Sequence, residues 1–113
     1  MVSEVVINAI KAAFAFIRKV IRVIVSGILN FAAHIVGWFK GLNLEKEKDI
    51  PFIADPEKFK EILKTAPVKN VGIFEGVYDE QKDEIVSNRL IDADELDEKT
   101  RQVLGNDSLV VLS

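Results

Sequence analysis

Apolar side chains recur at helical spacing from residue 4 to residue 44, and no proline interrupts them. Set at about 100° per residue around a helix, Asn8, Lys11, Arg18, Lys19, Arg22, Ser26, Asn30, His34 and Lys40 share an arc of about 160°. The opposite side carries Ile10, Phe14, Ile17, Ile21, Ile24, Ile28, Phe31, Ile35, Trp38 and Phe39. That apolar arc spans about 200°, twice the ~100° stripe of an ordinary surface helix. The pattern predicts one helix of about 38 residues, roughly 57 Å long, more than the ~30 Å hydrocarbon core of a bilayer requires. From Val23 to Phe39 no Asp, Glu, Lys or Arg appears, so this stretch reads as transmembrane-like.

Two subsidiary rows run along the predicted helix. Lys11, Arg18, Arg22, Ser26, Asn30 and His34 form a polar row, cationic in its first half and neutral in its second. Ala33, Gly37 and Gly41 form a small-residue row of the kind that lets helices approach closely. Three packings satisfy such a helix: flat in a membrane interface, across the bilayer, or bundled with copies of itself.

Beyond residue 44 the pattern changes. Residues 45–54 read as a charged linker, and residues 55–113 as a small acidic domain. Asp55-Pro56-Glu57 supplies an N-cap, a proline at N1 and an acid in the first turn. A short helix with Phe59, Ile62 and Leu63 on one face should follow and end near Thr65, because Pro67 disfavours helix at Ala66. Residues 70–78 alternate as a strand, Asp79 to Asp83 is a polar turn, and Glu84 to Ile91 returns to make a hairpin. Asp94 then opens a helix with Leu96, Thr100, Val103 and Leu104 inside, Gly105 closes it, and Leu109 to Leu112 completes the sheet. The fold class is therefore α+β, a long N-terminal amphipathic helix followed by an αββαβ domain.

Charge sharpens the division. Residues 1–44 hold five Lys or Arg against one acid, a balance of +4. Residues 45–113 hold ten against seventeen, a balance of −7. A basic helix and an acidic domain on every copy favour head-to-tail contacts between copies. The basic stripe also suits anionic lipid head groups. It suits nucleic acid less: the Phe residues lie away from the cations, and the acidic domain repels phosphate. The chain has no cysteine, which excludes disulfides, thiolate catalysis and cysteine-bound metals and accords with a reducing compartment. No cleavable signal peptide or lipidation box is expected.

Candidate chemistry is sparse. His34, the single histidine, has no acidic neighbour on its face and reads as a hydrogen-bonded packing residue. The acidic run Asp92, Asp94, Glu95, Asp97 and Glu98 lacks calcium-loop spacing and is explained by helix capping. Glu75 lies mid-strand between Gly72 and Gly76 with no evident partner, and the glycines read as a bulge or a close backbone approach. No catalytic residue, cofactor, metal or small-molecule substrate is expected. The sequence points to a non-enzymatic, membrane-associated, oligomerising anchor or scaffold whose partners are lipid and copies of itself. Its acidic domain would face a cytoplasm-like compartment. The alternatives are a structural subunit of a virion, tube or filament with the helix buried in its wall, and a pore-former with the polar row lining a lumen.

Overall fold

The computed structural model describes residues 4–64 and 68–112. The N-terminal apolar pattern folds into three elements, which corrects the expected continuous helix over residues 4–44. Helix α1 (Glu4–Ala13) ends in a 3-10 turn, Phe14–Phe16. The chain becomes extended at Ile17 and forms strand β1 (Arg22–Leu29). It then turns helical again, through a π-helical turn, Phe31–Val36, into α2 (Gly37–Gly41). Among the described residues no helix is long and apolar enough to cross a membrane.

The physical reason for the break lies in residues 20–28, where Val20, Ile21, Val23, Ile24, Val25 and Ile28 are β-branched. Such side chains are stiff at χ1, lose freedom in a helix and pack well on a pleated surface. Gly27 adopts φ +94°, a conformation no helix contains.

Strands β2 (Asp49–Ala54), β3 (Val71–Asp79), β4 (Glu84–Leu96) and β5 (Leu109–Val111) complete one five-stranded sheet in the order β1-β4-β3-β2-β5. β1 runs parallel to β4, and the other neighbours are antiparallel. At thirteen residues β4 is long enough to pair with β3 from Glu84 to Ala93 and with β1 from Leu90 to Leu96. β2 lies in the stretch expected to be linker.

Helices cover both faces of the sheet. On one, Ile10, Ala13 and Phe14 pack with Phe59 and Leu63 over Phe52, Phe74 and Leu90. Phe59 and Leu63 come from a 3-10 turn, Pro56–Phe59, and the short helix α3 (Lys60–Leu63) that follows it. Phe14 is the centre of this layer: its ring stacks on Phe59 with centroids 4.4 Å apart and meets Phe74 at 5.1 Å and Phe52 at 5.8 Å. On the other face, Ile35, Phe39 and Leu104 pack over Ile53, Ile73, Val77 and Ile91, with Leu104 supplied by α4 (Glu98–Leu104).

The acidic half follows the expected order. Asp55 Oδ1 accepts from the Glu57 amide at 3.0 Å, with Pro56 beside it. Ile62 is exposed rather than on the inner face, and the expected helix end at Thr65 lies outside the described residues. Two boundaries are corrected. The return strand continues to Leu96 rather than stopping at Ile91, because β1 gives its second half a partner. The next helix is therefore capped by Asp97, whose Oδ1 accepts from the Thr100 amide at 2.9 Å, and not by Asp94.

Candidate functional site

The ten residues of the expected apolar face divide between core and surface. Ile10, Phe14, Ile35 and Phe39 are buried, and Ile17, Phe31 and Trp38 are half-buried against the two core layers. Ile21, Ile24 and Ile28 are exposed, Ile24 to 79% and Ile28 to 56%. These three sit on or beside β1, which among the described residues pairs with β4 alone and so forms an edge of the sheet.

The residues of the expected polar row also separate. Lys11 lies on α1, half-buried, and Arg18 is exposed in the extended connection. Arg22 starts β1, and its Nη2 donates to Asp92 Oδ2 at 2.6 Å. Ser26 is exposed in a β-bulge: Ser26 and Gly27 together oppose Asp94, between the pairs Val25↔Ala93 and Ile28↔Glu95. Asp94 Oδ2 accepts from the Gly27 amide at 2.9 Å, which holds the bulge in place. Asn30 and His34 belong to the next helical segment. Asn30 caps it by accepting from the Ala33 amide at 2.8 Å, and His34 Nδ1 accepts from the Asn30 amide at 2.8 Å. Ala33, Gly37 and Gly41 are all exposed on that segment.

Two further features surround the edge. Phe16, exposed to 79%, and the cations Arg18, Lys19 and Lys82 line an open surface groove of ≈ 990 Å³, shared with Asp83 and Glu84. Asn88 on β4 clamps the entry to β1. Its Oδ1 accepts from the Ile21 amide at 3.1 Å and its Nδ2 donates to the Lys19 carbonyl at 2.9 Å.

Glu75 has a partner that the sequence did not reveal. Arg89 faces it across the β3–β4 pair and donates to its Oε1 at 2.9 and 3.3 Å. The same guanidinium donates to the His34 carbonyl at 2.6 Å and lies 5.1 Å from the Trp38 ring centroid. Glu75 is fully buried, and among the described residues its Oε2 has no hydrogen-bond partner. Burial pushes its carboxyl up to about 7, against the opposing pull of Arg89. The arrangement ties the β3–β4 hairpin to the 31–41 helical segment. Among the described residues it sets one buried carboxyl beside one guanidinium, an arrangement that holds elements together. An irregularity between Val77 and Tyr78 shifts the hairpin register by one, which puts Arg89 rather than Asn88 opposite Glu75. The flanking glycines serve close approach: a Cβ on Gly76 would lie 2.4 Å from the Phe52 ring.

The acidic run is spread over two elements. Asp92 pairs with Arg22, Asp94 holds the bulge, and Asp97 caps α4 and accepts from the Phe31 amide at 2.9 Å. Among the described residues no group of three or more metal-ligating side chains comes together.

No protein-family model, curated protein or solved structure matches the chain. The fold and the surface define its class by themselves: an α+β domain, helices on both faces of a mixed sheet, with one sheet edge left apolar and set among cations.

Proposed function

We propose that this chain is a non-enzymatic, self-assembling scaffold that associates with anionic membranes through its N-terminal third. One observation carries the reading. Val5, Phe16, Ile21, Ile24 and Ile28 remain exposed, and all lie in the stretch that also bears Lys11, Arg18, Lys19 and Arg22. Exposed apolar side chains along one stretch of chain, with Phe16 lining a groove beside Arg18, Lys19 and Lys82, suit a lipid interface or a protein partner better than water.

The balance of energies says how the contact works. Burying Phe16 is worth about 2 kcal/mol, and each cation near an anionic surface about 1 kcal/mol. One copy gains about 4 to 5 kcal/mol, which corresponds to a dissociation constant near 1 mM. Useful membrane residence then requires several copies joined, because linked sites gain about 10²- to 10⁴-fold in avidity. Anchoring and assembly are two parts of one mechanism, with peripheral contact replacing a spanning helix.

Flotation tests the reading. The chain should rise with vesicles containing phosphatidylserine and stay behind with pure phosphatidylcholine. Phe16→Ser or the pair Arg18→Glu, Lys19→Glu should abolish the rise. If the chain stays at the bottom with both lipids, the membrane contact is refuted. What would then stand is a structural subunit of a protein assembly, which the open β1 edge favours.

A further inference from the structure

We infer that the lipid contact is made by a face at the turn end of the β3–β4 hairpin. Phe16, Ile62 and Val86 enter the surface of an anionic phospholipid bilayer, Arg18, Lys19, Lys64 and Lys82 meet its phosphates, and the β1 isoleucines stay outside the contact. The inference rests on the membrane part of the proposed function and deepens it by naming the face that touches lipid.

Three elements converge on this face. The 3-10 turn Phe14–Phe16 packs against both α3 and β4. It buries Phe14 and leaves Phe16 exposed. Val86 and Lys82 line the same open groove as Phe16. A second open groove, of ≈ 540 Å³, is lined by Ile62 and Lys64. Ile17 and Arg18 line both, so the two grooves are continuous. Val86 is the extra residue of the hairpin irregularity, between the pairs Tyr78↔Ile85 and Val77↔Ser87. A bulge of this kind re-aims a side chain, and Val86 stands 42% exposed, much as Ile62 does at 44%. Asn88, two residues further on, holds the basic connection in place through the Lys19 carbonyl.

Charge selects the occupant. The two grooves are lined by four cations and two acids, Asp83 and Glu84, a balance of +2 on a chain whose net charge is −3. Among the described residues none of the four cations enters an ion pair. A chain that is acidic as a whole approaches an anionic surface with such a face forward. Apolar side chains set between cations fit the interface itself, the rings and methyls at the acyl boundary and the ammonium groups at the phosphates. The β1 edge differs on both counts. Ile24 and Ile28 lie opposite Asp92 and Glu95, six and nine residues along β4 from Val86. At about 3.3 Å per residue they are about 20 and 30 Å from it. Their partner strand carries Asp92, Asp94 and Glu95, and Arg22 is paired with the first of these. Anionic lipid is repelled by that acidic row, so the hairpin meets the bilayer turn first.

The chain has no cysteine, so Ile62→Cys, Val86→Cys and Ile24→Cys in the full chain each take an environment-sensitive fluorophore at a single place. All three side chains are exposed, and circular dichroism checks that each variant folds. With phosphatidylserine vesicles at millimolar lipid, the labels at positions 62 and 86 should brighten and shift to the blue, and the label at position 24 should not. Pure phosphatidylcholine should leave all three unchanged. Lys64→Glu and Lys82→Glu should each weaken partition into phosphatidylserine vesicles about five-fold or more, while Ile24→Ser leaves it unchanged. Flotation of the unmodified chain is scored separately. A response at position 24 equal to the others, or silence at 62 and 86 while the unmodified chain floats, overturns this face and keeps the membrane reading. An unmodified chain that does not float removes both. A response at 62 and 86 without lipid, growing with protein concentration, assigns the face to a second copy and overturns the lipid contact.

Discussion

Glu75 is the residue at which folding and pH meet. Its carboxyl titrates at about 7 in the folded chain against 4.5 ordinarily, because burial raises it further than Arg89 lowers it. Between those values the folded state holds a proton that the unfolded state has released, so stability falls as pH rises through the window and levels off above it. The span is on the order of 3 kcal/mol. Asp79 and Asp97 act in the opposite direction. Burial works to raise both, but the Lys82 and Gln81 amides and the Lys48 ammonium hold Asp79 below its usual range, and hydrogen bonds from Thr100 and Phe31 do the same for Asp97. Their contribution is lost as pH falls through the ordinary carboxylate range toward their depressed values. Maximum stability should therefore lie between the two ranges, at about pH 4 to 4.5. Urea unfolding at pH 5 and pH 8 checks this: the native chain should be weaker at pH 8, and Glu75→Gln should flatten the difference. An unchanged slope in Glu75→Gln would assign the effect elsewhere.

At the scale of elements, β1 separates what the sequence makes legible from what it hides. Caps and turns are local, and they read well: the Asp55-Pro56 start, the hairpin turn before Glu84 and Gly105 after α4 are all where the residue types place them. So is the α, β, β, α, β order of residues 55–113. Strand pairing over distance does not read. The helical spacing of residues 4–44 is real, and the three elements built from it still use Ile10, Phe14, Ile35 and Phe39 as core. What decides for strand at residues 22–29 is β-branched content together with a partner 67 residues away, which no local window contains. The same blindness hid β2 behind Pro51 and moved the α4 cap from Asp94 to Asp97. As for the candidate surface, its residues were legible as apolar and basic, but their division between core and edge was not. If long-range pairing to β4 is what makes β1 a strand, loosening the clamp should loosen the element. Asn88→Ala removes both hydrogen bonds at the entry and should cost about 1 to 2 kcal/mol. Hydrogen exchange should accelerate at Ile21 and Val23, with the β2–β3 amides unaffected. Uniform acceleration through the sheet would mean that β1 does not open as a local unit.

At the scale of the whole molecule, the sheet has two covered faces and a bare margin. Both core layers are closed by helices, so the apolar surplus noted in the sequence has not disappeared; most of it has moved inside, and the remainder stands at Val5, at Phe16 and along β1. The exposed isoleucines at the β1 edge, close in sequence to Arg18 and Lys19, are the surface on which the proposed self-assembly would draw. In the proposed function, joining copies multiplies the weak lipid contact of each subunit. The most direct measurement is the mass of the full chain by light scattering, from low to high micromolar concentration. Self-assembly predicts a shift toward twice 12.6 kDa as concentration rises, with Ile24→Lys fixed at the monomer mass. A native chain that holds 12.6 kDa across the whole range contradicts the account.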